Sequence, residues 1–140
     1  MKNVRGYIFS RHFLDNRIPQ HVQNLVIRNY CDKNHLHYLL SFAEYVMPKC
    51  HIIFDEILKK ELVEIDGIVL YSMFQLPEND IHRKYIYAEI IKQKKILYFA
   101  VENSYAKTQK QFDEIEIIWK VCLSLSHCLK VEEILQYYSH

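Results

Sequence analysis

The sequence predicts an α/β domain in which a four-stranded parallel sheet lies between two layers of helices. Four short runs rich in Ile, Val, Tyr and Phe have the length and composition of β-strands. Segments with the apolar spacing of helices separate them, and the runs begin about 30 residues apart, which is the size of a β-α-β unit. Alternation of this kind is typical of a parallel sheet with right-handed crossovers.

The predicted strands are apolar in their centres. The third and fourth are almost continuously apolar, as expected for strands that are covered on both faces of a sheet. We expect the strand order 2-1-3-4. The four strands are predicted at residues 4–10, 37–42, 65–72 and 96–102.

The predicted helices follow the strands and carry apolar residues on one face. Pro19 suits the first turn of the first helix, where its missing N–H costs nothing. Asn79 or Asp80 is a suitable N-cap for the third helix. The helices are predicted at residues 19–33, 50–58, 81–91, 115–125 and, as a short last helix, 131–138.

The composition is that of a single globular domain covering residues 1–140. Half of the residues are hydrophobic and a quarter are charged, as in ordinary globular domains, and a chain of this length fits one domain. The 18 Lys and Arg residues against 17 Asp and Glu residues do not make the basic surface of a nucleic-acid binder. We therefore expect no nucleic-acid partner.

The sequence carries no sign of export or membrane insertion. Its start has too short an apolar run for a signal peptide, and no apolar stretch approaches the length of a membrane span. The four cysteines match no zinc-binding spacing. We expect a cytoplasmic protein with reduced thiols and no membrane partner.

Several familiar cofactor motifs are absent. Gly6 and Gly67 lie inside predicted strands, so neither can form a glycine-rich phosphate-binding loop. The third strand ends in Tyr71 and Ser72, where a phospho-receiver needs an aspartate, and there is no GxSxG segment. The pair His35 and His37 lacks a third grouped ligand. We therefore expect no cofactor and no metal.

Polar residues follow every predicted strand. The carboxyl ends of parallel strands meet at one edge of the sheet, where ligands bind in open α/β folds. This set of hydroxyl, guanidinium, imidazole and carboxyl groups could bind a polyhydroxylated or anionic small molecule. The alternative is that these loops are polar because they meet water. The candidates are Ser10, Arg11, Gln20, His21, Glu44, Tyr45, Tyr71, Ser72, Gln75 and Glu102.

Two candidates have the chemistry of catalytic acids or bases. Glu102 ends an apolar strand, so burial could shift its pKa and make it an acid or base. His21 would be the second titrating group, and Arg11 would bind an anionic group. The other possibility is that Glu102 pairs with Arg11 and stabilises the fold.

The segment from Tyr7 to Ser10 is similar to the first strand of serine recombinase catalytic domains, which carry a tyrosine, an arginine and a serine there. This similarity implies a resolvase-like or flavodoxin-like three-layer sandwich. The arginine is missing, and the segment SMFQLPEN after the third strand has none either. Phosphoryl transfer on DNA needs such cations, so recombinase activity is not expected.

Longer segments resemble the small bacterial proteins called sporadic carbohydrate cluster proteins. They are RGYIFSR, IPQHVQNLVIRNYC, LLSFAEYVM, DGIVLYSMFQLP and FAVE, and the resemblance runs from Arg5 to Val121. It implies a role in the biosynthesis of a surface carbohydrate such as capsule or lipopolysaccharide. It implies no particular reaction.

These observations lead to three hypotheses for function. The first is an enzyme of the isomerase, epimerase or lyase type that acts on an activated sugar or sugar-acid precursor, such as a sugar phosphate. The second is a non-catalytic module that binds a partner enzyme or a glycan intermediate. The third is a degenerate resolvase-like protein without recombinase activity. The apolar C-terminal segment favours a homodimer over a monomer.

Overall fold

A computed structural model describes residues 1–10, 17–47 and 49–138, with side chains described as far as Leu125. These described residues contain five strands and four α-helices. The strands are β1 (Lys2–Ile8), β2 (Leu36–Ala43), β3 (Gly67–Leu70), β4 (Ile96–Phe99) and β5 (Ser104–Ala106). The helices are α1 (Gln20–Lys33), α2 (Ile52–Glu56), α3 (Asp80–Lys92) and α4 (Gln109–Tyr138).

The strands form one sheet in the order β2-β1-β3-β4-β5. The first four strands are parallel and lie in the predicted order. The prediction of four parallel strands was incomplete, because β5 adds an antiparallel edge to β4. A tight turn with Asn103 in the left-handed region, at φ 48°, reverses the chain. Three residues with no alternating pattern are too short a strand to be recognised from sequence.

The sheet is covered on both faces, which confirms the layered architecture. Alternate residues of β3 point to opposite sides, so Val69 packs with α1 while Ile68 and Leu70 pack with α2, α3 and α4. All four residues of this central strand are buried. Its continuous apolar character in the sequence follows from this double covering.

The role of Pro19 and the number of C-terminal helices differ from the prediction, and the predicted N-cap Asn79 agrees with it. Pro19 precedes α1 as its N-cap, and its carbonyl accepts the N–H groups of Val22 and Gln23 at 3.0 and 3.1 Å. Asn79 caps α3 through its side chain, which accepts the N–H of His82 at 3.0 Å. The two predicted C-terminal helices are one continuous helix, α4. No Gly or Pro interrupts residues 109–138, so nothing in the sequence ends the helix earlier.

A second helical segment follows α2 directly. A π-helical turn covers Ile57–Glu61 and a 3₁₀ turn covers Leu62–Glu64. A further 3₁₀ turn, Met73–Gln75, follows β3. Within the residues that the structure describes, no helix has the length and apolar character needed to cross a bilayer.

Arg83 joins α3 to α4 through a buried guanidinium that is only 1% exposed. Its Nε and Nη2 donate to the two carboxylate oxygens of Glu116 at 2.8 and 3.0 Å. Nη1 donates to the carbonyls of Pro77 and Glu78 at 3.0 and 2.8 Å, and Nη2 also donates to Asp80. All five donor positions of the guanidinium are therefore used.

Two acidic groups around Arg83, those of Glu116 and Tyr87, have shifted pKa values. The hydrogen bonds from Arg83 hold the pKa of Glu116 below its ordinary value. The Tyr87 hydroxyl donates to Glu116 at 2.7 Å, and burial raises the pKa of that hydroxyl. The Arg83 guanidinium also lies 4.4 Å from the centre of the Trp119 ring. The first part of α4 is thus anchored by one ion pair surrounded by aromatic rings.

We expect Arg83→Met to destabilise the protein by about 3–5 kcal/mol, because it leaves the partly buried Glu116 carboxylate without its guanidinium partner. Urea denaturation measures this as a change in the free energy of unfolding. The control is Lys84→Met, which removes an exposed cation from the next position and should change stability by less than about 0.5 kcal/mol. Equal effects of the two changes would show that the pair is not an anchor.

Helix α4 has apolar residues on two separate faces. Phe112 and Trp119 pack into the core. On the other side, Ile118, Val121 and Leu125 are 43, 51 and 59% exposed and form one stripe, since their spacing is i, i+3 and i+7. A helix that is apolar on both sides normally has a second surface to cover it. The homodimer expected from the sequence would bury this stripe against its own copy, as a two-fold axis permits.

We expect light scattering at micromolar concentration to give the mass of a dimer, and Val121→Lys to weaken the dimer at least about tenfold by placing a charge in the stripe. The matched control is Ile81→Lys, because Ile81 is an exposed apolar residue of α3, at 79% exposure. A wild-type protein of monomer mass would rule out the dimer.

Candidate functional site

A cleft of about 820 Å³ opens at the carboxyl ends of β1 and β3. These strands are neighbours in the sheet. After β1 the chain continues to β2 on one side, and after β3 it continues to β4 on the other side. Such a point is where parallel α/β sheets bind ligands. The cleft is lined by Phe9, Ser10, Arg17, Val46, Lys49, His51, Phe74, Gln75, Leu76, Pro77, Glu78, Asn79 and His82.

Two buried side-chain amides, those of Gln23 and Gln75, connect the strand ends beneath this cleft. Gln23 donates to the carbonyls of Phe9 and Ile18 at 2.7 and 2.8 Å, and its oxygen accepts the N–H of Phe9 at 3.3 Å. Gln75 donates to the Gln23 oxygen at 2.8 Å and accepts the N–H of Tyr71 at 3.0 Å. The predicted ligand-binding residue Gln75 thus lines the cleft while its amide joins the ends of β1 and β3.

Glu44 is buried and binds the start of α2. Its carboxylate accepts the N–H groups of Ile53 and Phe54 at 3.0 and 3.2 Å. It also accepts the Tyr7 hydroxyl at 2.9 Å and the N–H of Tyr45 at 3.1 Å. These donors occupy the lone pairs of both oxygens. Glu44 is not among the residues that line the cleft, and its carboxylate positions α2 instead.

Ser72 and Glu102, two predicted site residues, bind each other and shape the loop after β3. Neither is among the residues that line the two clefts. The Ser72 hydroxyl donates to Glu102 Oε2 at 2.9 Å, and the N–H of Met73 donates to Oε1 at 2.7 Å. Burial raises the pKa of Glu102, and the hydrogen bonds from Met73 and Ser72 offset part of this shift. Ser72 Oγ also accepts the N–H of Phe74 at 3.2 Å. The loop that carries Phe74 and Gln75 into the cleft is held by this carboxylate.

The other predicted residues are divided between neighbouring places. Ser10 lines the cleft and also a smaller one of about 440 Å³, which Gln20 and His21 line as well. Arg17, which was not among the predicted residues, lines both. Arg11 lies outside the described residues. Tyr71 is half-buried and Tyr45 is half-exposed, and neither lines the larger cleft. The catalytic roles assigned to Glu102 and His21 stay predictions.

The sequence-based prediction leaves out most of the cleft residues, among them Lys49, His51 and His82, and the Asp55 that binds one of them. His82 Nε2 lies 2.8 Å from Asp55 Oδ1. His51 Nε2 lies 3.0 Å from the carbonyl oxygen of Gln75, and the two imidazole rings are perpendicular with centroids 5.8 Å apart. The helices after parallel strands begin at the same edge as the strand ends. His51, Asp55 and His82 lie at the starts of α2 and α3. Polar residues at the predicted helix starts were therefore the sequence feature that could have indicated them.

Metal-binding groups are scattered in the structure. In the part of the chain that the structure describes, no group of three or more His, Cys, Asp or Glu side chains is placed to hold a metal ion. The imidazoles of the cleft are instead engaged by a carboxylate and a backbone carbonyl.

The fold is similar to those of resolvase-type recombinases. A resolvase family site-specific recombinase from Streptococcus pneumoniae matches over 100% of both chains with a TM-score of 0.66 and 9% identity. The N-terminal catalytic domain of TP901-1 integrase matches over 92% of this chain and 97% of its own, with a TM-score of 0.62 and 9% identity. The resolvase-like fold expected from the sequence is confirmed. At this identity the likeness concerns the fold alone.

Comparisons of the sequence itself give no such relative. No model of a known protein family matches the chain, and no curated protein matches it either. The resemblance to sporadic carbohydrate cluster proteins therefore has no support from these comparisons. The two residues between Tyr7 and Ser10, Ile8 and Phe9, are both apolar and buried in the core.

We expect the stability difference between wild type and Glu102→Gln to depend on pH. Because the folded-state pKa of Glu102 lies above its ordinary value of 4.5, the carboxyl stabilises the fold below that value. This contribution is lost as pH rises through the folded-state pKa. Glutamine cannot ionise, so the melting temperature of the variant should rise relative to that of wild type as the pH is raised above 4.5.

The control for this experiment is Glu114→Gln, which removes an exposed carboxylate from α4. Melting curves of the three proteins over the same pH series separate the local effect from a general effect of charge. A melting temperature of Glu102→Gln that falls relative to that of wild type as the pH rises would contradict the raised pKa of Glu102.

Proposed function

We propose that the protein is a small enzyme that binds an activated sugar or sugar-acid precursor in the cleft and performs acid–base chemistry on it. The observation that carries this proposal is the composition of the cleft at the strand ends. It combines an apolar wall with two cations, Arg17 and Lys49, and two imidazoles, His51 and His82. Its volume of about 820 Å³ lies in the range of sites for small molecules and cofactors.

The charge of the cleft suits an anionic ligand. Arg17 and Lys49 are exposed at its rim, and neither belongs to an ion pair among the described side chains. Glu78 is the carboxylate among the lining residues. The unpaired cations would match the phosphate of a sugar phosphate or nucleotide sugar, or the carboxylate of a sugar acid.

The start of α1 supports the same ligand class. This helix has no acidic residue in its first turn and no side chain that caps it. Its first residues, Gln20 and His21, line the smaller cleft that shares Ser10 and Arg17 with the larger one. The free N–H groups and the dipole of a helix N-terminus attract anions. A phosphate at this end would leave the sugar in the larger cleft.

The carbohydrate pathway is a separate part of the proposal. It rests on the sequence segments that resemble sporadic carbohydrate cluster proteins, and we propose the biosynthesis of a surface carbohydrate as the setting. The geometry of the cleft supports the ligand class and is independent of the pathway.

One observation favours a non-catalytic binding module as the alternative. Tyr45, Val46 and Met47 are 52, 70 and 56% exposed beside the cleft, and adjacent exposed apolar residues often mark a contact with another protein. In that case a partner enzyme would cover this loop. A resolvase-like protein that binds nucleic acid has the fold in its favour and the net charge of +1 against it.

We expect thermal-shift measurements against nucleotide sugars, sugar phosphates and sugar acids to identify a stabilising ligand. A ligand at a hundred times its Kd stabilises the folded state by about 2.7 kcal/mol. Neutral sugars should not stabilise the protein, because they cannot bind the cations. Arg17→Gln and Lys49→Gln should each weaken binding about tenfold, which corresponds to about 1.4 kcal/mol.

The matched control is Lys60→Gln, an exposed cation in the π-helical turn that is not among the cleft residues. It should bind as the wild type does. A panel in which no anionic sugar shifts the melting temperature would overturn the proposed ligand class. Binding that Arg17→Gln and Lys49→Gln leave unchanged would place the ligand elsewhere.

A further inference from the structure

His82 is held on the wall of the cleft by three contacts that fix its place. Its backbone N–H donates to the side-chain oxygen of Asn79 at 3.0 Å, and this bond caps the first turn of α3. Its Nε2 lies 2.8 Å from Asp55 Oδ1, and its ring packs edge-on against His51. The side chains of His82 and Asp55 are 30 and 32% exposed. The pair is therefore ordered and still reachable from solvent.

The partner of Nε2 determines where the proton of the neutral ring lies. An ionised aspartate can only accept hydrogen bonds, so Nε2 of His82 must be the donor. In a neutral imidazole the other nitrogen, Nδ1, then carries the lone pair. Among the described residues, no hydrogen bond of His82 involves Nδ1. A carboxylate that fixes this tautomer prepares the opposite nitrogen to take a proton.

The surroundings keep this arrangement in one geometry. His51 is buried, at 8% exposure, and donates from Nε2 to the carbonyl of Gln75, since a carbonyl only accepts. The ring of His51 also packs against Tyr7 and Phe9 of the core. The imidazole beside His82 is thus part of the rigid wall.

We propose that His82 is the general base of the cleft and that Asp55 is its positioning residue. The inference rests on the proposed function and names the group that performs its chemistry. Nδ1 of His82 takes a proton from a carbon next to a carbonyl or carboxyl group of the sugar. The electron pair of the broken C–H bond stays on the substrate as an enolate, and Asp55 stabilises the imidazolium that forms.

The remainder of the reaction needs no further reactant. The imidazolium returns its proton to a neighbouring atom on the same face of the substrate, which gives an isomer. The cations Arg17 and Lys49 line the same cleft and would stabilise the negative charge of the enolate. No electrons are gained or lost overall, so no redox cofactor enters the step.

The first test examines the tautomer and requires no ligand. In protein labelled with ¹⁵N-histidine, NMR should show the neutral form of His82 protonated at Nε2 and unprotonated at Nδ1. Asp55→Ala removes the acceptor and should give a mixture of the two tautomers. A wild-type His82 that carries its neutral-form proton on Nδ1 would overturn the role of base, whatever the protein binds.

The second test follows proton removal directly. Each sugar phosphate, nucleotide sugar and keto sugar acid is incubated with the protein in D₂O, and NMR records deuterium at the carbon next to the carbonyl. His82→Gln should slow uptake at least about 100-fold while thermal shift shows unchanged binding. Asp55→Ala should lower kcat with little change in KM. His37→Gln, a change on the exposed strand β2, should exchange as the wild type does.

The outcomes separate this inference from the proposed function. A sugar that binds without deuterium uptake in the wild type overturns His82 as a base and leaves a binding site. Uptake that persists in His82→Gln assigns proton removal to another residue, with His21 and Glu102 as the next variants. A panel without any binding overturns the proposed function and this inference with it.

Discussion

The cleft depends on one pair of buried amides, Gln23 and Gln75, whose side chains meet at 2.8 Å. The strands β1 and β3 end inside the protein, so the N–H and carbonyl groups beyond their ends need partners. Gln23 supplies both a donor and an acceptor to Phe9, and Gln75 supplies an acceptor to Tyr71. Because the amides meet these needs, the chain can leave the two strands in divergent directions, and the cleft opens between the loops.

Three buried or partly buried carboxylates, Glu116, Glu102 and Glu44, serve different purposes, and their hydrogen-bond partners distinguish them. Burying a carboxylate is costly unless donors surround it. Glu116 has a guanidinium, and its pKa is lowered. Glu102 has a hydroxyl and a backbone N–H, and its pKa is raised because burial outweighs these bonds. Glu44 has the first N–H groups of α2. A strand-end carboxylate can therefore belong to the architecture, even beside a ligand cleft.

The fold resembles that of resolvases, but the residues that line its cleft do not follow the recombinase pattern described for the first strand. The structural match extends over the whole chain, yet the buried apolar residues Ile8 and Phe9 lie between Tyr7 of β1 and Ser10, which follows the strand. The cations of the cleft, Arg17 and Lys49, come from loops, and its imidazoles come from helix starts. A fold of this kind supports unrelated activities because its loops, which carry the function, vary independently of the sheet.

The sequence by itself determined the sheet order, both covered faces and the edge at which the cleft lies, because apolar periodicity and the alternation of strands and helices are local properties. It also placed Ser10 and Gln75 at that edge. It did not reveal β5, whose three residues depend on β4 for pairing. The tertiary structure alone decided that Glu44 binds α2 and that His82 meets Asp55 across 27 positions, because a hydrogen bond between separate elements leaves no periodic signal in the chain.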